Sequence, residues 1–190
     1  MTVTDVNVVK STIFERPDDA NKGTLGSLLC VCGSYGMAGA AVMSAKGALR
    51  TGIGLAKCAL PRSIYPIVAQ TILESVYYPL SENADGRISK VNVPFLVSES
   101  CKSSATLVGC GLGVCDDTLK IVFSLIEDST TPLVLDADAL NCVAKQPEIL
   151  LRKKAPIIIT PHPGEMSRLT GLATPVSYTH LRAHETPEHL

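Results

Sequence analysis

The stretch of sequence that decides the fold is Ile157-Ile158-Ile159-Thr160-Pro161-His162-Pro163-Gly164-Glu165-Met166. Its β-branched run predicts a short buried strand, and two prolines fix the turn around His162 before a helical pattern begins. In open α/β sheets, ligands bind just beyond the carboxyl ends of the strands. The fixed imidazole of His162, followed by the carboxylate of Glu165 at a helix start, is therefore a candidate site.

The rest of the chain alternates between short apolar segments and helical patterns. Strands are predicted at 28–32, 55–60, 104–108 and 132–135, and extended chain at 72–78. Helices are predicted at 40–50, 63–69, 116–127, from 138 onward and at 148–153, with a surface turn at 83–86. Either Asp116 or Asp117 is expected to cap the helix that ends near residue 127. This alternation predicts an α/β fold with three layers, α/β/α, around a mostly parallel sheet.

The composition excludes several broad classes of function. The 190 residues carry a formal net charge of -1, so nothing predicts bulk attraction to nucleic acid or to a membrane surface. No apolar run approaches the roughly 20 residues that span a bilayer, and Met1–Lys10 has no apolar signal core. The protein is therefore expected to be cytoplasmic, with no nucleic-acid or membrane partner.

The seven cysteines form no C-x-x-C pair: they are Cys30, Cys32, Cys58, Cys101, Cys110, Cys115 and Cys142. Cys30 and Cys32 are two residues apart in a predicted strand, so they share one face and cannot easily bridge each other. In a chain with no recognised secretion signal, we expect reduced and mostly buried thiols.

Residues 175–190 differ in composition and in residue pattern from the rest of the chain. Three of the four histidines lie there, and the alternation of strands and helices stops. His180 and His184 are spaced like zinc ligands on a helix. The segment instead resembles a translated adapter or read-through peptide, so no metal site is predicted from it. We expect residues 1–174 to be the N-terminal part of a single domain and residues 175–190 to be a non-native tail.

A glycine pattern, Gly33-x-x-Gly36-x-x-Gly39, lies between a predicted strand and a predicted helix. Glycines allow the backbone to approach a ligand, and a helix N-terminus offers free N–H groups to an anion. The alternative is a tight turn whose glycines serve only packing. The pattern is not G-x-G-x-x-G, and no acidic residue occurs between Asp19 and Glu74, which disfavours a Rossmann oxidoreductase. The five basic residues of that interval suit a polyanionic ligand: Lys22, Lys46, Arg50, Lys57 and Arg62.

Three more segments carry glycines or polar side chains just after predicted strands. One strand end is followed by backbone with few side chains, in Gly109-Cys110-Gly111-Leu112-Gly113. The next predicted strand ends in two carboxylates, in Leu135-Asp136-Ala137-Asp138-Ala139-Leu140-Asn141. These carboxylates could orient a metal-bound phosphate or hold a loop by capping. Glu165 could likewise only stabilise the N-terminus of its helix. Because the strands are predicted to be parallel, the four tips are expected along one edge of the sheet.

With these motifs the chain resembles the ADP- or ATP-dependent NAD(P)H-hydrate dehydratases, a family of ribokinase-like fold. The matching stretches follow the family order across residues 22–171: Lys22–Gly26, Gly33–Ala41, Gly109–Gly113, Val134–Asn141 and Thr160–Met166. Two departures are Asn21, where histidine is common, and Cys110, where proline is usual.

The resemblance implies repair of damaged nicotinamide nucleotides. The S-epimer of hydrated NADH or NADPH is phosphorylated on its ring hydroxyl by ADP or ATP with Mg²⁺, and phosphate then leaves to restore the double bond. By similarity, Ala40, Gly113 and His162 line the hydrated-nucleotide site. The full set of expected substrate-binding residues is Gly39, Ala40, Gly111, Gly113, Asp136, Asp138, Asn141, His162 and Glu165. The full-length protein is expected to be a homo-oligomer.

One departure from the family concerns catalysis. The Gly-Thr-Gly-Asp motif, whose aspartate is the expected general base, lies downstream of the Pro-His-Pro-Gly-Glu turn in the family and is absent here. We therefore predict no catalytic residue within these 190 residues, a fold that is incomplete at the C-terminus, and an inactive fragment. Two alternatives stay open: a ribokinase-like kinase for a vitamin precursor or sugar, and an inert nucleotide-binding fragment.

Overall fold

Six short apolar segments form a parallel sheet in the computed structural model, which describes residues 23–172. The strands are β1 Ser27–Val31, β2 Leu55–Pro61, β3 Val76–Leu80, β4 Ala105–Val108, β5 Leu133–Leu135 and β6 Ile157–Ile159. Their order in the sheet is β3-β2-β1-β4-β5-β6, and every neighbouring pair is parallel. The predicted parallel α/β architecture is confirmed. Residues 21 and 22 and the tail at 175–190, with His180 and His184, lie outside the described residues.

Helices connect the strands. They are α1 Ala38–Arg50, α2 Tyr65–Thr71, α3 Val93–Cys101, α4 Asp116–Asp128, α5 Asp138–Val143 and α6 Pro163–Thr170. Two 3-10 helices cover Lys90–Asn92 and Pro147–Arg152, so the short helix predicted at 148–153 is of the tighter type. Helix α3 was not predicted from the sequence, because its apolar start lacks a clear helical period. None of the helices in the described part of the chain could cross a membrane.

The sheet separates two hydrophobic cores, which confirms the three-layer arrangement. Leu29 and Val31 of β1 face a core shared with α3, α4 and α5. Cys30 and Cys32 point to the opposite face and pack against α1 and α2. The helices lie on both faces of the sheet because the connections between parallel strands are right-handed. Connections that run in one direction along the sheet cross one face, and those that run in the other direction cross the opposite face.

The cysteines behave as expected from the sequence. All seven are free thiols, and Cys30, Cys32, Cys58 and Cys142 are buried. Burial raises the pKa of Cys142 to about 11, so that thiol stays protonated near neutral pH. These groups fill space in the two cores as small apolar side chains.

The prediction that Asp116 or Asp117 caps α4 is wrong, because the N-cap is the residue just before them. Cys115 occupies the N-cap position, and its thiol accepts a hydrogen bond from the Thr118 amide while the Thr118 hydroxyl accepts one from the Cys115 amide, at 2.9 Å. Asp116 and Asp117 instead lie in the first turn, where they stabilise the positive end of the helix. Sequence rules favour an oxygen cap, which is why the thiol was overlooked.

A buried ion pair stabilises the amino edge of the sheet. The Lys57 ammonium lies 3.6 Å from a Glu99 carboxylate oxygen, and both side chains are 12% exposed. Lys102 also donates to Glu99 at 2.9 Å, and the Tyr78 hydroxyl donates at 3.1 Å. The hydrogen bond from Lys102 lowers the pKa of Glu99. Lys57 and Glu99 are the shielded members of this cluster, since Lys102 is 64% exposed, so removing Glu99 leaves the buried Lys57 without a counter-charge.

We predict that Glu99→Gln lowers the free energy of unfolding by about 1–3 kcal/mol at neutral pH, because Lys57 loses its buried counter-charge. The Glu99 pKa is lower in the folded than in the unfolded chain, so its contribution is complete above the unfolded value of about 4.3. The contribution disappears as pH falls through the folded pKa. The difference between the variant and the parent should therefore shrink in urea titrations below about pH 4.

The matched control is Glu127→Gln, which removes a carboxylate from a surface pair with Arg152 at 2.9 Å. An exposed pair contributes about 0–1 kcal/mol, so this variant should stay close to the parent. Equal effects of the two substitutions would contradict the role given to the buried pair.

Candidate substrate-binding site

Four loops that carry the predicted motifs lie along the carboxyl edge of the sheet. They are residues 33–37 after β1, 109–115 after β4, 136–137 after β5 and 160–162 after β6. Because β1, β4, β5 and β6 are consecutive neighbours, the four strand tips form one continuous edge, as the sequence predicted. The chain reverses its direction across the sheet between β1 and β4, and a crevice at such a reversal is the usual place for a ligand.

The first two loops interlock at that reversal. The Gly33 amide donates to the Cys110 carbonyl at 2.8 Å, and the buried Ser34 hydroxyl donates to the Gly111 carbonyl at 2.8 Å. Gly111 has a φ of +68°, and a Cβ there would lie 2.7 Å from the Cβ of Ala40. Packing therefore requires glycine at 111 without any ligand. The same contact places Ala40 beside the second loop.

Gly39 differs from Gly33 in the space around it, and it differs from Gly36, which also has open space, in having no positive φ. A Cβ at Gly33 would lie 2.8 Å from Ile64, whereas a Cβ at Gly39 would meet nothing within 4 Å. The packing alternative accounts for Gly33 and leaves Gly39 unexplained. Gly39 is the second residue of α1, and Met37 at the N-cap gives no side-chain hydrogen bond. The start of this 13-residue helix thus presents an open, electropositive backbone surface.

Gly113 lies between a carboxylate and a guanidinium. Its amide donates to Asp138 Oδ2 at 2.8 Å, and a Cβ at this position would lie 2.4 Å from Arg87 Nε. The turn before Arg87 reaches the first loop, where the Tyr35 amide donates to the Gly86 carbonyl at 2.8 Å. Arg87 could not be predicted from the sequence, because no motif marks it and it lies far from Gly113 in the chain. Its guanidinium lies 3.5 Å from the exposed carboxylate of Asp85, so its charge at the carboxyl edge is partly compensated.

Asp138 and Asn141 hold neighbouring elements together. Asp138 is the first residue of α5 and gives its own helix no cap, because the N-cap position belongs to Ala137. Its carboxylate fixes the Gly113 loop instead and accepts from Asn141 Nδ2 at 3.4 Å. Asn141 Oδ1 accepts from Arg168 of α6 at 2.8 Å. These bonds support the loop-holding alternative, and direct substrate contact by the two residues stays a prediction.

Asp136 connects the tips of three strands. Its Oδ1 accepts from the Thr160 hydroxyl at 2.8 Å, and its Oδ2 accepts from the Cys110 thiol at 3.2 Å. The next residue, Ala137, has a φ of +49° and is the one non-glycine residue with positive φ in the described part of the chain. Such a conformation costs of order 1–3 kcal/mol, and here it sends the two flanking carboxylates to different loops.

The described residues build no metal site of their own. Within 23–172, no three His, Cys, Asp or Glu side chains come together in a way that could hold a metal ion. Both carboxylate oxygens of Asp136 already accept from protein donors.

His162 is the N-cap of α6 and also faces solvent. Its Nδ1 accepts from the amides of Gly164 at 3.0 Å and Glu165 at 3.4 Å. Glu165 returns the contact, accepting from the His162 amide at 2.9 Å, with its other oxygen 3.1 Å from Nε2. This reciprocal capping box uses Nδ1 as an acceptor and directs Nε2 at the Glu165 carboxylate. Glu165 is buried, which supports the helix-stabilising alternative for it, whereas the His162 side chain is 60% exposed.

The basic residues predicted to attract a polyanion do not gather at this edge. Lys57 is engaged in its ion pair at the amino edge, and Arg50 ends α1 at the same side of the sheet. Arg62 directly follows β2 and does lie at the carboxyl edge. Lys22 lies outside the described residues. The charge bias in the sequence is therefore mostly not a property of the site.

The described residues form a three-layer α/β domain with the candidate site at the carboxyl edge of its parallel sheet. A ribokinase-like superfamily protein of Enterococcus faecalis, EF1790, shares this fold, with a TM-score of 0.73 at 19% identity over 90% of this chain and 59% of its own. A family model described as NAD(P)H-hydrate dehydratase matches residues 28–186. The chain belongs to the NAD(P)H-hydrate dehydratase family. The match enters the segment predicted to be a non-native tail, and the boundary at residue 174 stays a prediction.

Similar proteins carry the same family name. The bifunctional NAD(P)H-hydrate repair enzyme Nnr of Thermofilum pendens is 38% identical over 156 residues, 82% of this chain and 30% of its own length. The ADP-dependent (S)-NAD(P)H-hydrate dehydratase of Bacillus subtilis is 30% identical over 86% of this chain and 54% of its own. The crystal structure of the ADP/ATP-dependent enzyme from Bacillus subtilis, co-crystallised with ATP/Mg²⁺, has a TM-score of 0.71 at 28% identity, covering 94% of this chain and 58% of that one.

The chain thus spans about a third of the length of the bifunctional relatives and about half of the single-function one. The family is established for these residues. The activity belongs to the whole protein and is treated below as a proposal.

We predict opposite effects of the same substitution at two glycines of the edge. Gly109 has a φ of +128°, and a Cβ there would lie 1.8 Å from the Asp136 carbonyl, so Gly109→Ala should cost about 2–5 kcal/mol. Gly39→Ala meets open space within a helix and should leave stability unchanged or raise it by up to about 1 kcal/mol. Urea titration of both variants measures the difference. A Gly39→Ala variant as unstable as Gly109→Ala would show that Gly39 serves packing.

Proposed function

We propose that the protein repairs hydrated NADH and NADPH by nucleotide-dependent dehydration. The S-epimer of the hydrated nicotinamide is phosphorylated on its ring hydroxyl by ADP or ATP, and loss of phosphate then restores the reduced ring. Phosphate is a far better leaving group than hydroxide, which explains why a nucleotide is consumed. The observation that carries this proposal is the open start of α1 at Gly39 on the same edge as the exposed His162, in a chain of this family.

In this proposal the described residues bind the substrate and leave the chemistry to the rest of the domain. The uncapped start of α1 offers backbone N–H groups and a positive dipole to the phosphates of the dinucleotide. Ala40 and Gly113 are partly exposed along the crevice, the buried Gly111 keeps the second loop close to Ala40, and the Arg87 side chain lies beside Gly113. The exposed ring of His162 contacts the bound nucleotide through its face and edge, because its Nε2 is already directed at the Glu165 carboxylate.

The general base and most of the phosphoryl-donor site are assigned to family residues beyond the Pro-His-Pro-Gly-Glu turn. ADP or ATP would bring Mg²⁺ with its phosphates, and that ion would neutralise the charge that develops on the transferred group. We further propose that the protein works in the cytoplasm as a homo-oligomer, without a nucleic-acid partner. The formal net charge of -1 supports the last point.

The reaction can be followed by the absorbance of the reduced nicotinamide together with phosphate release. A dehydratase supplied with hydrated NADH, ADP and Mg²⁺ restores the absorbance and releases one phosphate for each ring restored. A ribokinase-like kinase would instead accumulate a phosphorylated product without releasing phosphate. The 190-residue chain should bind hydrated NADH without turning it over. Turnover by this chain at a rate near that of intact relatives would contradict the assignment of the base to other residues.

We predict that His162→Asn separates the capping role of the histidine from its binding role. Asparagine is a good N-cap, so α6 should keep its cap and the free energy of unfolding should change by less than about 0.5 kcal/mol. The loss of the imidazole should weaken binding of hydrated NADH at least about tenfold, equivalent to about 1.4 kcal/mol. Calorimetric titration and urea titration of the variant measure the two effects.

The control is His162→Ala, which removes both the cap and the imidazole. It should lose about 1 kcal/mol of stability and bind hydrated NADH as weakly as His162→Asn. If His162→Asn binds like the parent, the imidazole has only a structural role.

A further inference from the structure

The thiols of Cys32 and Cys110 lie close together where the chain reverses its direction across the sheet, between β1 and β4. A cavity of about 510 Å³ opens between α1 and the ends of β4 and β5, and it is lined by Ser44, Cys110, Asp136 and Thr160 among others. Cys110 is half-buried at this cavity, and Cys32 lies directly behind it with 1% of its surface exposed. A small molecule in the cavity can therefore reach Cys110 first and Cys32 only through Cys110.

The backbone holds the two cysteines side by side. The segment with Cys32 and the segment with Cys110 are joined by the bond from the Gly33 amide to the Cys110 carbonyl, at 2.8 Å. The bond from the Gly109 amide to the Val31 carbonyl, at 3.3 Å, joins them again one residue earlier. The register of β1 and β4 sets Cys110 one residue out of line with Cys32, on the neighbouring segment. The side chains of the two cysteines hydrogen-bond to each other, so the sulfurs are within reach of one another. Both thiols point to the α1 face of the sheet.

The surroundings make Cys110 the more reactive thiol of the pair. A hydrogen bond from the Cys32 thiol lowers the pKa of Cys110, and one from Ser44 acts in the same direction against burial and the Asp136 carboxylate. The pKa of Cys32 is raised, first by this hydrogen bond and then by burial. Asp136 Oδ2, 3.2 Å from the Cys110 sulfur, accepts its proton in the resting thiol.

We propose that Cys110 is a modification site for small organic disulfides, with Cys32 as the thiol that resolves the adduct. Cys110 loses its proton, and its sulfur attacks one sulfur of the reagent. A new S–S bond forms, the reagent's own S–S bond breaks, and one thiolate leaves. Cys32 then loses its proton and attacks the Cys110 sulfur, and the second thiolate leaves. The protein gives up two electrons and two protons, and the reagent is reduced to two thiols.

The product is a disulfide that joins the end of β1 to the loop after β4. It would lock covalently the two segments that the backbone bonds already hold together. This inference does not depend on the proposed enzymatic activity, because it rests only on the cavity, the paired thiols and thiol exchange chemistry.

The test treats the chain with cystamine in a background that carries Cys101→Ser and Cys115→Ser. Cys101 is exposed and Cys115 is partly exposed with a lowered pKa, so both would react on their own, and serine keeps the N-cap of α4. The proposal predicts a chain that has lost two hydrogens, keeps no adduct and yields a peptide linking Cys32 to Cys110. Modification should start at Cys110 at least about tenfold faster than at Cys58 or Cys142. With Cys32→Ala, a stable cysteamine adduct should remain on Cys110, and with Cys110→Ser neither adduct nor crosslink should form.

Three outcomes would overturn the proposal: an unreactive Cys110, an adduct that persists on Cys110 while Cys32 is present, and a crosslink from Cys110 to Cys30. Folding of each variant is checked within the same experiment. The buried Cys58 and Cys142 react only if the chain has opened, so their protection shows that the reaction took place in the native state.

Discussion

The carboxyl edge of the sheet depends on the interlocking of two glycine loops where the chain reverses direction. Gly33 and Ser34 of one loop donate to the carbonyls of Cys110 and Gly111 of the other. No side chain fits at two of these glycines: a Cβ on Gly111 would meet Ala40, and a Cβ on Gly109 would meet the Asp136 carbonyl. These close approaches fix the start of α1 beside the second loop. The geometry available to a substrate follows from them.

The two ends of the strands serve different purposes. At the amino edge, charged groups such as Lys57 and Glu99 satisfy one another and contribute to stability. At the carboxyl edge, polar groups hold loops in place and leave particular surfaces open, notably Gly39 and the imidazole of His162. The strained backbone at Ala137 belongs to this edge as well. This strain lowers stability, and the structure tolerates it because it fixes the positions of the neighbouring loops.

The sequence predicted the architecture well, because alternation of strands and helices is a local signal and strand tips of a parallel sheet must share an edge. The roles of single residues were harder to predict. Gly39 and Gly111 look equivalent in sequence, and only the space around a Cβ distinguishes them. Arg87 reaches Gly113 through tertiary contact alone. Lys57 seemed suited to a polyanion, yet its buried partner is on a helix that the apolar run before Glu99 did not reveal.

The central claim is that the carboxyl edge binds the hydrated nicotinamide nucleotide. Hydrogen–deuterium exchange of the 190-residue chain, with and without saturating hydrated NADPH, tests it most directly. The account predicts slower exchange in the peptides that cover residues 33–40, 109–113 and 160–165, and no change at residues 99–104 of the amino edge. Protection confined to residues 99–104, or unchanged exchange throughout the carboxyl edge, would contradict it.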